Sequence, residues 1–311
     1  MRPPEPDSGA ELQALVAAEL SQPVDPRVSE LAEAIAGKHA PASRAVLFYG
    51  SCLREKQLDG LMLDFYLIVS DYSAAYDKRW LAIANRLIPP NVFYFEQNGL
   101  LAKYAVLSEA DFVRECSPKA HSVSVVARFA QPARLIWASD DRAANLAMKS
   151  ITLAAPTLLD WTLPGSEEGS PINLWKRAFS LTFGAELRAE RSDRSGKIVE
   201  ADPDRYYQVG LRSLQVIARN RGVGPNGEVP LMMRPDRMRR WWRRMQWKGK
   251  TLSVLRLAKA SATFAGGIDY IAWKINRHAG TQIEIKPWQR RWPLLAAITL
   301  LPRLLKSGAV R

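Results

Sequence analysis

Three residues in the first quarter of the chain have types and spacing that suit phosphate chemistry. Gly50 and Ser51 close the apolar run "AVLFYGS", and Asp64 stands alone among the acids of the next run, "LMLDFYLIV". A glycine lets the backbone approach a ligand, a serine offers a hydroxyl and an N–H, and the N-terminus of a helix placed after them carries partial positive charge. A phosphate fits such a turn. A carboxylate on the adjacent strand can hold Mg²⁺ against the same phosphates, which supplies the positioning and charge neutralisation that phosphoryl and nucleotidyl transfer require. For an isolated Gly-Ser an ordinary tight turn is the commoner explanation; the aspartate-bearing strand is what favours a ligand. Asp59, in "QLDG", reads as a turn residue.

The elements that must position these side chains can be read from periodicity. Residues 1–43 read as an N-terminal helical cover, two short helices broken at "SQPVDP" by Pro23 and Pro26. Residues 44–139 read as an α/β unit. Five β-rich runs ("AVLFYG", "LMLDFYLIV", "NVFYFEQ", "LLAKYAVLS", "ARLIWAS") alternate there with helical stretches such as "SAAYDKRWLAIANRLI", whose apolar residues recur every three or four positions. Residues 140–230 read as a mainly helical domain interrupted by a hinge-like loop, "LPGSEEGSP", and residues 231–311 as a basic, Trp-rich, amphipathic region. No internal repeat is present. The expected fold is therefore an α/β domain followed by a helical one and a basic tail.

Composition narrows the partners. A chain of 311 residues with 47% apolar composition can bury a full core. A formal charge of +13 favours an anionic partner. Cys52 and Cys116 match no metal spacing and suggest a reducing compartment, so a cytoplasmic location is expected. The opening "MRPPEPDSGAELQ" lacks the charge and apolar pattern of an export signal, and no apolar run reaches the roughly 18 residues of a membrane span. His39, His121 and His278 show no ligand spacing, and no zinc is implied. The stretches "RPDRMRRWWRRMQWKGK" and "KPWQRRWPLLAAITLLPRLLKSGAVR" admit three readings: a solvated helix face packed by aromatics, a single-stranded nucleic acid site, or the interface of an anionic membrane. The piece "PLLAAITLLPRLL", too short and Pro302-interrupted to span a bilayer, favours a peripheral position on the inner face of a membrane, with no nucleic acid expected.

The Gly-Ser turn and Asp64 strand together resemble the nucleotidyltransferase superfamily, the polymerase-β-like fold, whose signature is hydrophobic-Gly-Ser followed by Asp-x-Asp on the next strand. Here Tyr66 stands in place of the second acid. A narrower resemblance is to the mitochondrial-type phosphatidate cytidylyltransferases, the translocator assembly and maintenance family. It is carried by "FYGS", "LDFYLIV", "KYAVL", "VVARFAQP" and "LTFGAELR", in the family's order over roughly residues 44 to 190. Cys52 stands where that family often has glycine, and Glu186 where it tends to have aspartate.

That resemblance implies transfer of a cytidylyl group from CTP to phosphatidate, giving CDP-diacylglycerol and pyrophosphate, with Mg²⁺ as cofactor and an anionic membrane surface as the place of work. It implies that Gly50 and Ser51 cradle the triphosphate, that Asp64 and Glu186 bind the metal, and that Lys103 adds charge near the phosphates. Tyr66 would lie near the base, and Arg128 and Arg188 would hold the lipid phosphate. Duller roles remain open for each: Lys103 on the solvated face of a strand, Arg128 and Arg188 as helix-surface charges, Glu186 in i, i+4 salt bridges of "GAELRAERSDR". The missing acid has a chemical reason. A phosphomonoester has a second pKa of about 6, so phosphatidate attacks with an oxygen already largely ionised and needs no general base. A nucleotidyltransferase acting on RNA or another soluble acceptor, and a non-catalytic nucleotide- or membrane-binding relative, are the competing readings.

Overall fold

Each of the five apolar runs forms a strand, and the five strands make one sheet. A computed structural model describes residues 7–54, 58–164, 170–185, 194–223, 234–263 and 284–287. The strands β1 (Ser43–Tyr49), β2 (Met62–Val69), β3 (Asn91–Gln97), β4 (Leu100–Ser108) and β5 (Ala133–Ala138) lie in the order β3-β4-β2-β1-β5. Only β2 and β4 run parallel; the other neighbours are antiparallel. The central strands are apolar almost without interruption because both faces of the sheet are covered. Leu63, Phe65, Leu67 and Val69 of β2 point into one core, whereas Tyr66 and Ile68 point into the other.

The helices divide between these faces. On the Phe65 side lie α2 (Pro26–Gly37), α3 (Tyr72–Ala75) and α4 (Arg79–Leu87). On the Tyr66 side lie α1 (Ser8–Leu20), α5 (Glu109–Glu115), α6 (Val123–Phe129), α7 (Asp141–Thr162), α8 (Pro171–Phe183), α9 (Arg194–Glu200), α10 (Pro203–Asn220) and α11 (Pro235–Thr263). The two N-terminal helices form as their sequence predicts. Asp7 and Asp25 cap them by accepting hydrogen bonds from Gly9 N (3.1 Å) and Arg27 N (2.9 Å), and Pro26 occupies the first turn, where its missing N–H costs nothing. They do not stay together: α1 and α2 pack on opposite faces of the sheet. The α/β sheet and the run of helices after it are the fold class expected.

The Arg- and Trp-rich stretch is the long helix α11, and its described part is a packed, amphipathic one. Met238, Trp242 and Met245, spaced four and three apart, enter the core, and Trp242 donates from Nε1 to the Trp161 carbonyl at 3.0 Å. Gly249 presses on Ala185 so closely that a Cβ there would stand 2.2 Å from its carbonyl oxygen. Farther along, Arg256 Nε donates to Pro89 O (2.7 Å) and Lys259 Nζ to Pro90 O (2.8 Å), tying the helix to the turn that opens β3. Burial, aided by the charge of Arg256, depresses Lys259 to about 7. Arg240, Arg244 and Lys248 face solvent on the opposite side. The later parts of the basic region, residues 264–283 and 288–311, lie outside the described residues. No described helix is long and apolar enough to cross a membrane.

On the Phe65 side His39 joins three elements. Its Nδ1 lies 2.8 Å from Ala75 O and its Nε2 3.1 Å from the Tyr104 hydroxyl, so a neutral ring that donates from Nδ1 and accepts at Nε2 satisfies both. Burial holds its pKa below 6.5. The unfolded chain therefore takes up a proton as pH falls through about 6.5 while the folded one does not, and stability declines below that pH. Denaturant titrations between pH 7 and pH 5 should show this decline, and His39→Gln, although less stable throughout, should show a flatter dependence.

Candidate functional site

The register of the three central strands assembles the site. Tyr49 is the β1 partner of Asp64, and Asp64 is the β2 partner of Lys103 on β4, so the three side chains stand in a row on the Tyr66 face near one end of the sheet. Lys103 Nζ lies 3.0 Å from Asp64 Oδ1, with side-chain exposures of 26% and 22%. Each charge offsets much of the cost of withdrawing the other from water.

Gly50 follows Tyr49 with φ +97°, and a Cβ on it would stand 3.3 Å from Asp64 Oδ2 and 3.6 Å from Asp64 Cβ. Positive φ strains any side chain here, and the close carboxylate would have to shift to make room for it. The absent side chain leaves a cradle beside one oxygen of Asp64, whose other oxygen is paired with Lys103. Ser51, exposed, opens a single 3₁₀ turn (Ser51–Arg54) rather than the helix expected after a phosphate-binding turn. One such turn aligns too few peptide dipoles to act as a helix terminus, which leaves the serine hydroxyl and backbone N–H groups as the available donors.

Tyr66, expected near a base, is 2% exposed, with its ring 5.3 Å from those of Tyr49 and Phe129. It packs beneath the site and presents no open ring face for stacking. Arg128, at the end of α6, comes close to the row. Its guanidinium donates to Ser124 O at 2.8 Å and to Ser124 Oγ, and its charge lies near the Tyr49 phenol. Burial, then the negative charge of Asp64, pushes the Tyr49 phenol well above its ordinary value of 10, so Tyr49 stays protonated beside the carboxylate. The structure thus brings together Gly50, Ser51, Asp64, Lys103 and Arg128. Glu186 and Arg188 lie outside the described residues, just beyond Ala185.

Sequence reading missed Tyr49 and Tyr94. Tyr94 is the β3 partner of Lys103 and donates from its hydroxyl to Glu96 Oε2 at 2.6 Å, placing a second carboxylate on that face at the sheet edge. Its strand alternation was visible, but not which strand lies beside β4. Cys52 and Cys116 are buried and are not joined in a disulfide. Cys52 Sγ donates to Met62 O at 3.5 Å, beneath the turn.

The chemistry of the donors tests whether a metal fits. Mg²⁺ binds oxygen, through one or two carboxylates completed by substrate phosphates and water. Asp64 supplies one part-exposed carboxylate bordering the Gly50 cradle, and this fits such an ion; among the described residues no group of three metal-binding side chains gathers there or elsewhere.

The chain matches no protein-family model and no curated protein. Among solved structures it is similar to a nucleotidyltransferase-like protein from Exiguobacterium sibiricum 255-15, at 12% identity, covering 90% of this chain and 92% of that one, with a TM-score of 0.29. At that score the two share too little geometry for one to inform the other.

Gly50→Ala should cost about 1–2 kcal/mol from the left-handed backbone alone. Displacement of Asp64 should add to this, and urea unfolding of the variant measures the sum.

Proposed function

We propose that this protein is a Mg²⁺-dependent nucleotidyltransferase, and that its reaction is cytidylyl transfer from CTP to phosphatidate. The carrying observation is the juxtaposition at the end of the sheet: a carboxylate with one oxygen open to the Gly50 cradle and the other on the Lys103 ammonium. A lone carboxylate set in an apolar strand beside a left-handed glycine and a lysine suits an anion that brings its own cation.

Mg²⁺ held by Asp64 would neutralise the triphosphate as pyrophosphate leaves. The rest falls to the chain's own side chains. Ser51 donates to phosphate oxygens across the turn, and the missing Gly50 side chain lets them approach. Lys103 exchanges part of its contact with Asp64 for the incoming phosphates as a mobile point charge. Arg128, held by Ser124, sets a second cation at the border of the site, suited to the acceptor's phosphate. An acceptor phosphate oxygen then attacks the α-phosphorus of CTP as the bond to the β-phosphate oxygen breaks. Tyr49 keeps its proton and Lys103 is a cation in an ion pair, so an ionised phosphate nucleophile suits the site better than a hydroxyl.

Purified protein with CTP, Mg²⁺ and phosphatidate should release pyrophosphate, and Asp64→Asn should reduce the rate at least about a hundredfold without unfolding the chain. Diacylglycerol in place of phosphatidate should give essentially no transfer. Near-normal turnover by Asp64→Asn, or equal transfer to an RNA hydroxyl, would refute the reading. Glu186→Gln probes the expected second ligand: a large loss partly restored by high Mg²⁺ supports it, and an unchanged rate returns Glu186 to a surface charge.

A further inference from the structure

Helix α4 is turned inside out. Its apolar side chains Trp80, Ile83 and Leu87 fall at i, i+3 and i+7, the spacing of a core-facing stripe, yet they are 47%, 56% and 73% exposed. The face that packs inward carries Ala82 and Asn85. Asn85 is the reason. Its Nδ2 donates to Val106 O at 3.0 Å and its Oδ1 accepts from Asn91 N, while Asn91 Nδ2 donates to Leu81 O at 3.0 Å. Rotating α4 to bury the stripe would take Asn85 away from the buried Val106 carbonyl and Asn91 N–H, so the network locks the apolar face outward.

We infer that the outward face of α4 is a docking site for an anionic membrane surface, with Trp80, Ile83 and Leu87 entering the interfacial layer. Lys78, Arg79 and Arg86 flank the stripe, and they outnumber the nearby acids Asp77 and Asp71, the latter paired with Arg86 at 3.5 Å. The following residues, Ile88 to Pro90, receive the basic side chains of Arg256 and Lys259 from α11, which lie at the end of the stripe. A second copy of the chain suits this face poorly. Three side chains fall short of the roughly 800 Å² per partner of a standard interface, and each copy would bring the same cationic shoulder to the other. A bilayer surface demands no shape match and supplies both apolar depth and opposite charge. The nucleotidyltransferase reading supplies only the reason to meet a lipid; the exposed stripe stands without it.

The test is sedimentation of the full chain with vesicles of equimolar phosphatidylcholine and phosphatidate, beside vesicles of phosphatidylcholine alone. The intact protein should bind the anionic vesicles and keep part of that binding at high salt, because insertion of apolar side chains is not screened. The triple variant Trp80→Ser, Ile83→Ser, Leu87→Ser should fold normally by circular dichroism, since all three positions face outward. It should lose at least about tenfold in vesicle affinity, because its three apolar side chains no longer enter the interfacial layer. It should still transfer cytidylyl groups to a short-chain, monomeric phosphatidate at the normal rate. Asp64→Asn should show the reverse, normal vesicle binding without transfer. If the intact protein transfers nothing but its vesicle binding needs the stripe, docking stands and the enzymatic reading falls. Equal vesicle binding by the triple variant overturns the inference, as does a dimer in analytical ultracentrifugation that the triple variant converts to monomer.

Discussion

The register of β1, β2 and β4 is the constraint on which the candidate site depends. Tyr49, Asp64 and Lys103 are consecutive cross-strand partners, so the ion pair and the left-handed glycine exist only while that register holds. It is strongly specified because both faces of β2 are buried. A slip of one residue would drive Phe65 and Leu67 toward the other core and carry Asp64 beneath the sheet, away from Lys103. The same apolar packing that stabilises the sheet thus fixes the charged pair at its end. Gly50 completes the arrangement from the turn side, where any larger residue would meet the carboxylate.

Around that row, polar contacts are spent on orientation. Arg128 is held by Ser124, and His39 binds β4 to α2 and α3 from the opposite face through two hydrogen bonds that a neutral ring satisfies. Arg205, packed beside Tyr206, bridges α10 to Glu19 of α1 at 2.6 Å and to Ala130 O at 3.0 Å, joining the helices behind the site. Buried polar groups that are satisfied in this way specify one arrangement more sharply than apolar contacts do.

Two basic, aromatic helices show how one composition divides into core and surface. In α11 the tryptophan of core spacing, Trp242, is buried with its N–H satisfied, while Trp247 stands in solvent among arginines and lysines. In α4 the division runs against the pattern, since Asn85 rather than Ile83 faces inward. Both helices meet at the Ile88–Pro90 turn, which leads into β3 and so toward Tyr94 beside Lys103. The surface proposed to touch lipid and the edge of the candidate site are therefore joined by one short strand.

Much of this was legible in the chain before folding. β-rich apolar runs identify all five strands, Pro23 and Pro26 mark the break between α1 and α2, and the Gly-Ser and the aspartate-bearing strand single out the turn beside Asp64, because these signals are local and each depends on only a few neighbouring residues. Pairing is not local. That Lys103 meets Asp64 rather than water, that Tyr66 sinks into the core and Arg128 reaches Tyr49, follows from strand order and helix placement, which no spacing within one segment encodes. The short 3₁₀ turn after Gly50 and the outward stripe of α4 are likewise tertiary decisions. In α4 the apolar period alone predicts burial, and only a partner such as the Val106 carbonyl, waiting for the Asn85 amide, makes the other face cheaper to bury.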